Sequence, residues 1–167
     1  TNRIQVGNGS TEIFHLIARA YLTSQSDKGA KAFLLTPTYG EYAGACRLAG
    51  GEVSSLDASS DAGFRWDLEE AAARIDAETP NVVNVCNPNN PTGVYLGRQE
   101  MNSLADAASR AKSLLVVDEA YLAFVGDPWD SLALLVRPNV VLVRSMTKDY
   151  AQTGLRLGYA LAAEEVV

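Results

Sequence analysis

The chain has few of the residues from which metal sites and disulfides are built. Its 167 residues include one histidine, His15, and two cysteines, Cys46 and Cys86. Because a zinc site needs several clustered histidine or cysteine ligands, we expect no metal site and interpret His15 as a helix residue. The two cysteines form no CxxC pattern. They are interpreted as buried thiols of a reduced, cytoplasmic protein.

Positive charge and long apolar segments are also scarce. The chain has 14 Lys and Arg residues and 20 Asp and Glu residues, which gives a formal net charge of -6. A nucleic-acid-binding domain would instead present a basic face. No apolar run approaches the roughly 20 residues of a membrane-spanning helix. No signal peptide is recognisable, and we expect neither nucleic acid nor membrane as a partner.

Helical and strand patterns alternate along the chain. Apolar spacings of three and four predict helices over residues 11–22, 41–49, 67–75 and 99–111. Short apolar runs predict strands at 32–35, 52–56, 81–85, 114–118, 139–143 and 157–162. This alternation is typical of βαβ units with right-handed crossovers. The fold class we predict is therefore α/β, a mostly parallel sheet with helices on both faces.

Local signals predict where several elements begin and end. Ser10 or Thr11 can cap the first helix, and Asp67 can cap the third. Gly50, with the glycine that follows it, is expected to end the second helix. The length suits one domain. Because the chain has no initiator Met and its first motif begins at Gly7, we expect a piece of a longer chain.

Four motifs follow predicted strands, at the carboxyl ends where α/β sheets bind ligands. They are the turn at residues 36–39, the loop at 87–93, Asp118, and the segment 145–148. We expect these motifs to converge at one edge of the sheet.

The segment around Lys148 carries the most specific chemistry. A lysine amine forms a Schiff base with an aldehyde. The hydroxyls of Ser145 and Thr147 and the guanidinium of Arg156 can hold a phosphate beside it. A phosphorylated aldehyde fixed on a lysine describes pyridoxal 5'-phosphate (PLP). That cofactor also needs a carboxylate against its ring nitrogen, and Asp118, at the end of an apolar strand, is the candidate.

A glycine-containing motif at residues 7–11 precedes the first predicted helix. Gly9, Ser10 and Thr11 are small enough for backbone N–H groups to approach a phosphate, although a glycine turn with a helix cap explains the motif equally well. It is not a dinucleotide fingerprint, because Glu12 replaces the third glycine and no strand of useful length precedes it. It also lacks the Gly-Lys-Ser/Thr ending of a P-loop.

The loop NPNNPTG at residues 87–93 combines three asparagines with two prolines. A rigid loop that carries amide donors suits the fixing of a ring oxygen, and a purely structural loop is the alternative. Tyr121, three residues after Asp118, could hydrogen-bond the same oxygen. Tyr39 could lay its ring on a flat heterocycle or be an aromatic residue of the core.

Taken together, the motifs GNGST, TPTYGEY, NPNNPTG, VVDEAYLAF and SMTKDYA…GLRLGYA resemble the fold-type I PLP-dependent aminotransferases. They look most like the branch that contains histidinol-phosphate aminotransferase and threonine-phosphate decarboxylase. The motifs follow the order of that family from Gly7 to Ala160. Five ordered motifs are far more specific than any one of them.

The resemblance implies a role for each site residue. Lys148 would carry the Schiff base and move the proton at the substrate Cα, and Asp118 would pair with the ring nitrogen. Asn90 and Tyr121 would contact the phenolic oxygen, and Tyr39 would stack on the ring. The phosphate would lie at the motif containing Gly9, bound by Ser10, Thr11, Ser145, Thr147 and Arg156.

The resemblance also implies an activity: transfer of an amino group between an amino acid or amino phosphate and a 2-oxo acid, in a homodimer. A decarboxylase with the same motifs, a catalytically inactive truncated domain, and a nucleotide-binding α/β domain are the alternatives. The family's N-terminal arm and small C-terminal domain match nothing in the chain, and that domain supplies the arginine for the substrate carboxylate. We therefore expect residues 1–167 to be a PLP-binding large domain truncated at both ends.

Overall fold

The computed structural model describes residues 2–23 and 29–166. Its strands are β1 (Ile4–Asn8), β2 (Lys31–Thr36), β3 (Glu52–Asp57), β4 (Val82–Cys86), β5 (Leu114–Asp118), β6 (Val140–Ser145) and β7 (Leu157–Leu161). Its α-helices are α1 (Gly9–Leu22), α2 (Glu41–Leu48), α3 (Leu68–Glu78), α4 (Arg98–Arg110) and the short α5 (Met146–Asp149). Strands β2 to β7 and helices α1 to α4 correspond to the predicted elements, with ends that differ by up to three residues.

The strands form one sheet in the order β1-β7-β6-β5-β4-β2-β3. Strands β2 to β6 run parallel to one another, whereas β7 runs antiparallel to both of its neighbours, β1 and β6. The prediction of a mostly parallel sheet is confirmed. The parallel arrangement brings the carboxyl ends of β2, β4, β5 and β6 to one edge.

Apolar side chains bury both faces of the sheet. On one face, Val83 and Val85 of β4 pack in a cluster with residues of α3 and α4. On the other face, Val82 and Cys86 of the same strand pack with residues of α1 and α2. Alternation along one strand therefore supplies two cores, as the predicted three-layer α/β architecture requires.

The start of the chain differs from the prediction in two respects. A strand, β1, leads into the glycine motif and includes its first two residues, Gly7 and Asn8. It pairs with β7 from Ile4 opposite Leu161 to Asn8 opposite Leu157. Because β1 lies at the edge of the sheet and most of its residues are exposed, its sequence lacks the apolar run of a central strand. The expectation that Ser10 or Thr11 caps the helix is also wrong. Helix α1 begins two residues earlier than predicted, at Gly9, after the N-cap Asn8.

Two other helix ends agree with the sequence signals. Asp67 caps α3, and its Oδ1 accepts hydrogen bonds from the N–H groups of Glu69 and Glu70, both at 3.0 Å. Gly50 follows α2 with a φ of +85°, which glycine adopts without steric cost. Across the described ranges, no helix is long and apolar enough to cross a membrane.

Candidate active site

A cavity of about 230 Å³ opens at the carboxyl edge of the sheet. It collects residues from six separate segments of the chain. The sequence-predicted residues that line it are Ser10, Thr11, Tyr39, Asn90, Asp118, Tyr121, Ser145, Thr147, Lys148 and Arg156. The structure thus brings together every predicted site residue except Gly9, which lies directly behind Arg156.

Asp118 is the last residue of β5 and is 5% exposed. Its Oδ1 accepts a hydrogen bond from the backbone N–H of Ala120 at 2.9 Å, and its Oδ2 accepts one from the Tyr42 hydroxyl at 2.6 Å. Burial raises the pKa of the Asp118 carboxyl to about 6, although both hydrogen bonds favour the charged form. None of the ion pairs among the described residues includes Asp118.

Sequence reasoning missed two residues at this end of the cavity, Tyr42 and Cys86. Tyr42 is 1% exposed, and its pKa is raised well above its usual value by burial and by the nearby Asp118 carboxylate. Cys86 ends β4 directly opposite Asp118 in the sheet register. Burial raises the pKa of its thiol to about 12. The shared strand-end position of Cys86 and Asp118 was a usable signal, because adjacent parallel strands end side by side.

Both cysteines are free and buried, as expected. Cys86 donates a hydrogen bond to the carbonyl of Pro88 at 3.2 Å. In the part of the chain that the structure describes, no cluster of three or more His, Cys, Asp or Glu side chains could hold a metal ion.

Lys148 lies in the short helix α5, which follows β6 without a break. The Ser145 hydroxyl caps this helix by accepting a hydrogen bond from the Thr147 N–H at 3.3 Å. The Lys148 Nζ lies 5.6 Å from the ring centroid of Tyr121. The four residues from the end of β6 to Lys148 therefore place one amine, that of Lys148, and two hydroxyls, those of Ser145 and Thr147, at the cavity.

Two glycines allow α1 to approach the far side of the cavity. Gly9 has a φ of +76°, and a Cβ at this position would lie 2.7 Å from Nη2 of Arg156. A Cβ at Gly158 of β7 would lie 2.6 Å from the carbonyl carbon of Gly9 and closer still to the Ser10 nitrogen. The amino-terminal end of α1 and the Arg156 guanidinium therefore face one volume, which is a favourable environment for an anion.

The three asparagine side chains of the loop at residues 87–93 make different contacts. Asn87 pairs with the backbone of Leu96, donating to its carbonyl at 3.0 Å and accepting from its N–H at 2.7 Å. Asn89 donates to the carbonyl of Pro37 at 2.9 Å and so ties the loop to the turn after β2. Of the three, Asn90 alone lines the cavity. The predicted rigid loop is present, and its rigidity comes from the two asparagines that do not face the cavity.

Glu119 and Arg144 form an ion pair beside the cavity rather than in it. The Arg144 Nε donates to Glu119 Oε2 at 2.8 Å, and the Glu119 side chain is 2% exposed. The Glu119 carboxylate is therefore buried against this guanidinium. The pair joins the ends of β5 and β6, the strands that carry Asp118 and Ser145.

The cavity residues match the chemistry of PLP at three points. Asp118 is a buried carboxylate with no cationic partner among the described residues, and a protonated ring nitrogen would supply one. The amino-terminal end of α1 and the Arg156 guanidinium, with the hydroxyls of Ser10, Thr11, Ser145 and Thr147, form a site suited to an anion, here called the anion cradle. The absence of a Cβ at Gly9 and Gly158 permits this close arrangement. Lys148 presents its amine at the same cavity. These residues would hold the ring, the phosphate and the aldehyde of the cofactor, respectively.

Comparison with known proteins agrees with this arrangement. The family model for aminotransferase class I and II matches residues 1–167. A histidinol-phosphate aminotransferase from Shouchella clausii is 35% identical over 164 residues, which cover 96% of this chain and 42% of that protein. The chain therefore spans somewhat less than half the length of the curated relatives it matches.

Solved structures with the same fold carry more than one activity. L-threonine-O-3-phosphate decarboxylase from Porphyromonas gingivalis aligns with a TM-score of 0.79 and 30% identity, over 99% of this chain and 48% of that one. Aspartate aminotransferase from Thermus thermophilus with maleate aligns with a TM-score of 0.88 and 28% identity, over 99% of this chain and 42% of that one. On the matching family model and the cavity geometry, the chain belongs to the class I and II aminotransferase family.

Proposed function

We propose that this chain is the cofactor-binding part of a PLP-dependent aminotransferase. The parent enzyme moves an amino group between an amino acid or amino phosphate, of the histidinol-phosphate kind, and a 2-oxo acid. The main support for this proposal is that Lys148, Asp118 and the anion cradle at Arg156 line the same cavity. The similarity to histidinol-phosphate aminotransferases supports the substrate class.

Each side chain has one task in this mechanism. When bound, PLP withdraws electrons from the substrate Cα through its ring. Lys148 would hold the aldehyde of the cofactor through its amine, and its Nζ, once free, would take the proton from the substrate Cα. Asp118 would pair with the protonated ring nitrogen, because a buried carboxylate favours a bound cation. Asn90 and Tyr121 would contact the phenolic oxygen, and Tyr39 would stack on the ring.

The residues that would bind the phosphate group would also set the orientation of the cofactor in the cavity. Ser10, Thr11, Ser145 and Thr147 offer hydroxyls, and Arg156 offers a planar fork that a lysine would not reproduce. Helix α1 adds the partial positive charge of its amino-terminal end. Together these groups would anchor the phosphate end of the cofactor in the cavity that Lys148 also lines.

Decarboxylation is the second candidate reaction, because a threonine-phosphate decarboxylase shares this fold at 30% identity. The cavity residues serve either reaction. What differs is the orientation of the substrate carboxylate, and we propose that this is set by residues of the parent protein outside this chain. Product analysis on the parent enzyme separates the two, because transamination yields an oxo product and decarboxylation releases carbon dioxide.

The remaining features of the parent protein are part of the same proposal. The chain is its large domain, without the N-terminal arm and the small C-terminal domain, and the parent is a cytoplasmic homodimer. Support comes from the length of the relatives, about twice that of this chain. The two buried free thiols also suit a reducing compartment.

Titration of the purified chain with PLP tests the proposal. We expect a visible absorbance band from the lysine-bound cofactor and, after borohydride reduction, a stable adduct that mass spectrometry locates on Lys148. Lys148→Ala should yield no reducible adduct. The matched control is Lys31→Ala at the exposed start of β2, which should keep the adduct.

Two results would contradict this assignment. One is an adduct retained on the Lys148→Ala protein. The other is a folded wild-type chain that gives no absorbance band at any PLP concentration. In the second case the inactive-domain alternative would be the better description of this polypeptide.

A further inference from the structure

A buried tyrosine outside the cofactor cavity holds the carboxylate inside it. Tyr42 lies in the first turn of α2, and its hydroxyl donates to Asp118 Oδ2 at 2.6 Å. Its ring packs edge-on against Phe14, with centroids 4.9 Å apart, and against Tyr39, with centroids 5.6 Å apart. These two aromatic contacts restrict the ring and so the direction in which its hydroxyl points.

The carboxylate needs such a partner because it is buried and forms no ion pair with any described residue. Asp118 is 5% exposed and receives a second hydrogen bond from a backbone N–H, that of Ala120. A buried anion with too few hydrogen bonds takes up a proton instead. A protonated Asp118 could no longer pair with a cationic ring nitrogen.

We propose that Tyr42 is a positioning residue for the cofactor, one that acts through Asp118. Its hydroxyl keeps the Asp118 carboxylate ionised and turned so that its free lone pairs face the cavity. This inference rests on the proposed function, because it concerns the ring nitrogen of PLP.

The groups that face Asp118 come from several elements. Tyr42 lies on α2, Cys86 on β4 and Glu119 directly after β5, while Lys148 and Arg156 line the same cavity. Burial raises the pKa of Cys86 to about 12, so this thiol stays neutral through the acid range. The Glu119 carboxylate is paired with Arg144. Loss of the Tyr42 hydrogen bond should therefore raise the pKa of Asp118, which already lies near 6.

The test is the affinity of the chain for PLP, measured by absorbance titration between pH 5 and pH 9. Tyr42→Phe keeps the ring and removes the hydroxyl. We expect about tenfold weaker binding at pH 7, equivalent to about 1.4 kcal/mol. The acid side of the affinity profile should also move up by about one pH unit. The cofactor phosphate also titrates near pH 6, but its contribution is common to both proteins and cancels in the comparison.

A double-mutant cycle separates positioning from mere packing. In an Asp118→Asn background there is no carboxylate to hold, so Tyr42→Phe should leave the PLP affinity unchanged. Tyr21→Phe, a partly buried tyrosine on α1 away from the cavity, is the matched control and should bind PLP like wild type. Should Tyr42→Phe fail to fold, Tyr42→His keeps a ring N–H donor and is taken through the same cycle.

The outcomes are distinct. Weaker binding that disappears in the Asp118→Asn background supports the inference. Equal affinity of Tyr42→Phe and wild type, or an equal loss in both backgrounds, overturns it while the proposed function stands. A wild-type chain that binds no PLP overturns both.

Discussion

Gly158 sits where β7 passes closest to α1, and adding one methyl group there should damage both the fold and the anion cradle. A Cβ at this position would lie 2.6 Å from the carbonyl carbon of Gly9 and 3.0 Å from the Cα of Ser10. Ordinary van der Waals contacts begin near 3.4 Å. Since the obstructing atoms are backbone, no side-chain rotation can relieve the overlap.

The cost follows from this geometry. Extra atoms in a packed interior cost about 1–3 kcal/mol, and a clash with backbone belongs at the upper end. We expect Gly158→Ala to lower the free energy of unfolding by about 3 kcal/mol, a large share of the roughly 5–15 kcal/mol typical of a domain. The displaced end of α1 would also move Ser10, so PLP affinity should fall by at least about tenfold, or 1.4 kcal/mol.

Urea denaturation followed by circular dichroism, without PLP, measures the first effect, and PLP titration measures the second. The matched control is Gly44→Ala in α2, where a Cβ would meet nothing within 4 Å. This control should gain about 0.5–1 kcal/mol, because glycine is unfavourable in a helix. A Gly158→Ala protein as stable as wild type, with unchanged PLP affinity, would refute the reasoning.

Two further predictions concern buried polar groups. Asn87→Ala removes both hydrogen bonds to the backbone of Leu96. Urea denaturation should show a free energy of unfolding lower by about 3 kcal/mol, because two buried backbone groups lose their partners. A loss below about 0.5 kcal/mol would contradict the assignment. Burial gives Asp118 a folded-state pKa of about 6, above its ordinary value of 3.8, so the folded state binds the proton first and gains stability as the pH falls. Without PLP, wild type should gain about 2.4 kcal/mol relative to Asp118→Asn between pH 7 and pH 4. A constant difference in denaturation midpoints would show that Asp118 titrates normally.

The elements that the sequence predicted well are those whose signal is local. The apolar run ending at Asp118 matched β5 residue for residue, because a strand buried on both faces is apolar throughout. Asp67 was identified as a cap because the capping residue and the N–H groups it satisfies lie within three positions. The edge strand β1 escaped prediction, since the strand with which it pairs, β7, lies about 150 residues away and its own residues are mostly exposed.

The sequence by itself determined the types of residue at the site and the strand ends that carry them. Lys148, Asp118 and Arg156 could be singled out because amine, carboxylate and guanidinium chemistry can be read from residue identity. The tertiary structure decided which neighbours support them. It left Asn90 to line the cavity, placed the Tyr42 hydroxyl on Asp118, and paired Glu119 with Arg144. Those choices depend on contacts between segments far apart in the chain, for which no local pattern exists.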